Sequence, residues 1–225
     1  MYMPSPIPDR RGFRDHRFYL VLLLFNLVMA KIAMRFYGEQ FVLLQHAISD
    51  LGSTVTRNGY PNPRSPYFFC AQMVVSGIIT FRYAKLLAER EGDRRALRVR
   101  LLRICGTGFF FMTAPHNLPV THYVHMVGGG FIFFSLWVLT MIYLTEARRR
   151  GMGIGYWVGM TVLQAAVLSY AFLFAINYER KQAAQGFGLL GLILALVWVT
   201  QVLAHVPAEA LDYAEEESGD SATST

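Results

Sequence analysis

Three histidines, His116, His122 and His125, fall within the stretch PHNLPVTHYVH, and a fourth, His46, opens HAISDLGS together with Ser49, Asp50 and Ser53. On a helix, His122 and His125 project from one face a turn apart. His116 precedes them across a segment bounded by Pro115 and Pro119. Three imidazoles and a carboxylate are the set that holds a catalytic zinc ion with one position left for water. Here His116, His122 and His125 would be the metal ligands, and His46, Asp50 and His125 the catalytic groups. Asp50 would orient or charge one of the histidines, as carboxylates behind a ligand do. The same residues without a metal would act as acid/base pairs, contact lipid headgroups or cap helix ends, and no HExxH-type spacing is present to choose among these.

Lys31 and Arg35 form a second group. They are four residues apart and so share a helix face, yet they lie inside an apolar block. A charge at that depth costs about 2.5–3.5 kcal/mol on insertion scales unless it meets protein, water or an anion. Asp50, Glu39 or Glu179 would neutralise Lys31. Alternatively the pair would hold a lipid phosphate, Arg35 as a planar fork and Lys31 as a point charge. With Ser49 they make up the candidate substrate-binding residues.

The elements that must position these groups follow from composition. Of 225 residues, 54% are hydrophobic and 16% charged, against roughly 25% charged in ordinary soluble domains, and mean hydropathy is +0.33. A disordered chain and a conventional soluble enzyme are excluded. The apolar residues lie in blocks suited to a ~30 Å hydrocarbon core, which a helix of ~20 residues crosses. They predict an all-α, polytopic bundle of six transmembrane helices over Phe18–Phe36, Tyr67–Leu87, Leu101–Ala114, Tyr123–Thr145, Gly155–Ile176 and Gly186–Val206. This domain, 18–206, is flanked by a Pro-rich basic lead-in, 1–17, and an acidic tail, 207–225, whose composition predicts disorder. Leu43, Leu44, Ala47, Ile48 and Leu51 recur at helical spacing before Gly52, which predicts a short helix folding back over one end of the bundle.

The segments before the first block, between the second and third, and after the fourth, together with the adjoining block ends that hold Arg82, Lys85 and Arg103, carry 15 of the 21 Lys and Arg residues; the alternate segments carry only Arg57, Arg64, Arg180 and Lys181. The positive-inside rule therefore places both termini in the cytoplasm of a multi-pass cell-membrane protein, and the histidine-bearing segments on the far side. The basic residues form no stripe interleaved with aromatics, so the expected partners are membrane lipids and not nucleic acid. Cys70 and Cys105 fall at opposite membrane faces, beyond the ~7 Å limit for a disulfide. Gly128, Gly129 and Gly130, like Gly186, Gly188 and Gly191, stand where small residues let helices approach closely.

The Ile-Ser-Asp-Leu-Gly core of HAISDLGS, the following Tyr60-Pro61-Asn62-Pro63, Ser76-Gly77 in the second helix, Pro115, and His125 opening HMVGGGFIFF together carry a resemblance. Over about residues 40–206 the chain resembles the six-helix membrane family catalogued as domain of unknown function 998, a relative of the Frag/DRAM/Sfk-type membrane proteins. The resemblance implies the six-helix fold and no defined activity. The residues themselves leave three readings: a polar pocket at the outer leaflet that binds or remodels a lipid-like amphiphile, a zinc-dependent lipid hydrolase, and a non-catalytic scaffold or regulatory subunit.

Overall fold

Six helices form in the computed structural model, which describes residues 10–43, 45–91, 96–176 and 181–205. They are α1 (Arg10–Arg35), α2 (Ser65–Glu91), α3 (Ala96–Phe111), α4 (Pro119–Arg149), α5 (Gly153–Ala175) and α6 (Lys181–His205), with one 3-10 turn at Ile48–Gly52. The all-α expectation holds: among the described residues there is no strand, only a single bridge between Val55 and Pro61. The tail 207–225 and Glu179 lie outside the described residues.

Four of these helices, α1, α4, α5 and α6, are long and apolar enough to cross a membrane, against the six spans expected. The other two are more polar for a reason visible in their packing. α2 buries Gln72, Ser76 and Thr80, and α3 buries Arg98. With 16 residues, α3 is also only about 24 Å long at 1.5 Å per residue.

Helix contacts run α1–α2, α2–α3, α3–α4, α4–α6 and α6–α1, which closes five helices into a ring, while α5 packs on the outside against α4 and α6. One end of the ring carries the loop 36–64 and is called the loop end; the other carries the first residues of α1 and the last of α6, and is the termini end. Leu139, Tyr143, Leu144, Leu192, Leu196 and Val199 are among the side chains sealed where α4 meets α6. Exposed Val21, Leu24, Leu27 and Val28 on α1 continue as an outward apolar stripe, as expected of a helix facing lipid.

The first helix starts at Arg10, eight residues before the expected boundary, so residues 10–17 belong to the bundle and not to a lead-in. Gly12 explains how this turn fits: a Cβ there would fall 2.7 Å from the Leu203 carbonyl oxygen on α6. One turn later Asp15 is 2% exposed. It accepts hydrogen bonds from the Tyr143 hydroxyl at 3.0 Å and from the Tyr83 hydroxyl. Nearby, Glu146 accepts from both Arg98 and Arg150, and the Arg98 guanidinium lies 4.5 Å from the centre of the Tyr143 ring. Buried charge is tolerated only when paired and hydrogen-bonded in this way, and the cluster fastens α1, α2, α3 and α4 at the termini end.

The glycine triplet is not uniform. Gly108 and Gly128 face each other so closely that a Cβ on either would meet the other's carbonyl oxygen at 2.7 or 2.8 Å, whereas Gly129 is near only Met112 Sδ and Gly130 borders open space. On α6, Gly188 and Gly191 lie against Ala166 of α5, and Gly186 is open. Both cysteines are free.

Candidate functional site

At the loop end the chain is held by side chains that take up backbone groups. The helix expected over 43–51 contracts to the single turn Ile48–Gly52. Asp50 Oδ2 accepts the Ala47 N–H at 2.9 Å and so caps its start. Its far end is occupied: the Ser65 hydroxyl donates to the Leu51 carbonyl at 2.9 Å, and Asn62 Nδ2 donates to the Ser53 carbonyl at 2.7 Å. Asn62 Oδ1 accepts the Gly38 N–H at 3.2 Å. Those carbonyls are no longer available to continue a helix. Residues 54–62 double back as a narrow hairpin, with the Thr56 N–H on the Tyr60 carbonyl and the turn closed by Gly59 at φ +84°, a left-handed conformation glycine adopts without strain.

This scaffold brings Asp50, Ser53 and His116 together. His116 Nε2 is 3.3 Å from Asp50 Oδ1 and its Nδ1 is 2.9 Å from Ser53 Oγ. Ser53 Oγ is also 3.3 Å from Nε2, so the hydroxyl hydrogen-bonds the ring while Nε2 stands at ion-pair distance from the carboxylate. Asp50 and Ser53 are buried. His125 packs beside them, its ring centre 5.4 Å from that of His116, and its Nδ1–H donates to the Ala114 carbonyl at 2.7 Å. Its Nε2 is buried without a partner among the described residues. Asp50 thus touches both the Ala47 N–H and the His116 ring.

The other candidates lie apart. His122 is exposed and donates from Nδ1 to the His116 carbonyl at 3.0 Å. His46 is buried between the rings of Tyr37 and Phe41, 3.7 Å from Glu39, with Nδ1 held by the backbone of Val42. The Asn58 amide donates to Glu39 and holds its carboxyl below the usual range, while burial pushes the Tyr37 phenol up to about 12. Among the described residues no three His, Cys, Asp or Glu side chains converge as a metal-ligand group, because each imidazole is turned to a different backbone or carboxylate partner. Lys31 and Arg35 are exposed on the outward stripe of α1. Neither pairs with a carboxylate among the described residues, since Asp50 and Glu39 are engaged elsewhere.

The feature that the histidine pattern did not announce is a cavity of about 180 Å³ inside the ring. All five ring helices line it, α5 does not, and Ile48 and Ser49 of the 3-10 turn reach it from the loop end. Its walls are apolar apart from Asn26, Gln72, Ser49 and Tyr19. Leu27 and Leu190 line it while being 50% and 40% exposed, so it communicates with the outside between α1 and α6. Asn26 and Gln72 were readable in the sequence as lone polar residues within apolar blocks, a pattern that marks function in membranes. Ser53 stood in the motif, and only the fold shows that it meets His116.

The family described as protein of unknown function (DUF998) matches residues 21–207, a stretch that includes most of α1 and so exceeds the resemblance carried by the motifs. No curated protein and no solved structure matches the chain.

Proposed function

We propose, for a chain that belongs to the DUF998 family, that this membrane protein binds a lipid-like amphiphile in the ring cavity. The amphiphile's polar end lies toward the loop end, and its chain runs toward Leu136 and Leu196. The observation that supports this reading is the cavity itself. At about 180 Å³ it exceeds the roughly 150 Å³ at which an apolar cavity already stays dry and takes up small hydrocarbons. Three of its four polar side chains, Ser49, Asn26 and Gln72, sit toward the loop end, as a site for an amphiphile requires, and Tyr19 stands toward the other. Leu27, Lys31 and Arg35 follow one another along the outer face of α1 at four-residue intervals, so two cations stand beyond the mouth where an anionic headgroup would rest. The excess of basic residues on the other side supports placing this end at the outer leaflet of the cell membrane.

Purified protein in mild detergent is expected to bind hexadecyl phosphate, read by displacement of fluorescent cis-parinaric acid. Ile193→Trp, which fills the cavity, should abolish binding while leaving the unfolding temperature near that of the parent. Lys31→Gln and Arg35→Gln should each weaken it about fivefold, the equivalent of about 1 kcal/mol per surface charge. Undiminished binding by Ile193→Trp would remove the cavity from the account.

The hydrogen-bonded series Ser53, His116, Asp50 favours a second reading, ester hydrolysis with Ser53 as nucleophile and His116 as its base. A fluorophosphonate probe would then label Ser53 in the parent and not in Ser53→Ala. An unlabelled parent protein leaves the series with the structural task of fastening the loop.

A further inference from the structure

Two polar atoms on side chains lining the cavity are buried without a hydrogen-bond partner among the described residues, the Tyr19 hydroxyl and Gln72 Oε1, and only the second is confined to accepting. Gln72 is 3% exposed, and its Nε2 donates to Asn26 Oδ1 at 2.8 Å and to the Asn26 backbone carbonyl at 3.2 Å. Asn26 is fixed in turn, since its Nδ2 donates to the Leu22 carbonyl at 2.8 Å and to Ser76 Oγ at 3.0 Å. Turning either amide over would set oxygen against carbonyl oxygen, so the network determines which amide atom is which. What remains is Gln72 Oε1, buried and without a donor among the described residues, on a side chain that lines the cavity. No Lys, Arg or His is among the lining residues, so the protein places no cation there and an anionic group would enter at a high desolvation cost.

We infer that the cavity selects amphiphiles bearing a neutral hydrogen-bond donor, a hydroxyl or an amide N–H, near the point where the chain meets its polar end, with Gln72 Oε1 as the acceptor that recognises it. This rests on the amphiphile reading above. An unpaired buried amide oxygen is destabilising. A purely hydrocarbon occupant leaves that defect in place, whereas a donor removes it.

The test compares 1-hexadecanol with its methyl ether, 1-methoxyhexadecane, as competitors of cis-parinaric acid at equal mole fraction in the micelle. The pair shares the chain and its terminal oxygen, and the ether replaces the donating hydrogen with a methyl group. In the parent protein the alcohol should compete about tenfold better, the ratio expected of one hydrogen bond in a buried site. Gln72→Leu should abolish the preference without weakening the ether. Equal competition by alcohol and ether in the parent, with binding still lost in Ile193→Trp, overturns the donor inference and leaves the cavity reading standing. Failure of both compounds to compete, together with probe binding that ignores Ile193→Trp, overturns both. The comparison in the parent decides the matter even if Gln72→Leu does not fold.

Discussion

Glu146→Gln is expected to lower the unfolding temperature of the detergent-solubilised protein by about 6–20 °C. One carboxylate serves two guanidinium groups, Arg98 and Arg150, whose side chains are only 9% and 6% exposed. The Glu146 side chain is itself 19% exposed. Removing one partner of a buried pair leaves the other charge uncompensated and costs about 3–5 kcal/mol, and in a chain of this size each kcal/mol corresponds to about 2–4 °C. The neutral amide still fills the space, so lost charge and not lost volume is being measured. Arg98→Met combined with Glu146→Gln should lose less than Glu146→Gln alone, because the guanidinium whose carboxylate partner is neutralised is removed with it. A thermal shift of Glu146→Gln within 2 °C of the parent would show that water reaches this cluster and the pairing is dispensable.

The second large effect separates neighbours in sequence. Gly128→Ala is expected to cost about 1–3 kcal/mol, the usual range for overfilling a packed contact, and to lower the same unfolding temperature by about 2–12 °C. Gly130→Ala, two residues on, should be neutral. The reason is the reciprocal approach of Gly108 and Gly128, where an added methyl meets backbone with no rotamer to turn away. Gly108→Ala should match Gly128→Ala, and the double variant should cost less than the two singly, since both act through one separation of α3 from α4. Indistinguishable behaviour of Gly128→Ala and Gly130→Ala would dismiss the close contact.

How far such features were legible in the sequence depended on whether their signal was local. Blocks of apolar residues announced the helices, and the proline-bounded stretch falls between α3 and α4, although α3 ends at Phe111, three residues before the expected Ala114, and α4 starts at Pro119, four before the expected Tyr123. Residues 10–17 misled because they follow Pro4, Pro6 and Pro8 and because arginines and polarity look alike in a solvated arm and in a helix whose charges are paired. Asp15 is buried only because Tyr83 and Tyr143, 68 and 128 residues away, turn their hydroxyls to it. The histidines were visible, and their grouping was not: spacing put His122 and His125 on one face, yet His125 points inward beside His116 while His122 remains outside. The turn at Ile48–Gly52 was overextended for the same reason. Apolar periodicity cannot report that Ala47 is extended and that Asp50 takes its N–H, so that the turn begins only there. The cavity belongs to no segment, and arises because five helices close a ring that their side chains incompletely fill.

The brevity of α3 acts on the surroundings as well as on the protein. Arg100 and Arg103 are exposed in its first two turns, leaving even less of its 16 residues to match the acyl region. Lipids beside this wall must compress or tilt, or the arginine stems must stretch toward phosphates, to avoid a gap. Such hydrophobic mismatch costs a fraction of a kcal/mol per ångström and sorts proteins among bilayers of different thickness. One short helix beside longer neighbours thus gives the molecule a thin flank, and reconstitution in bilayers of different acyl length is expected to favour the thinner ones.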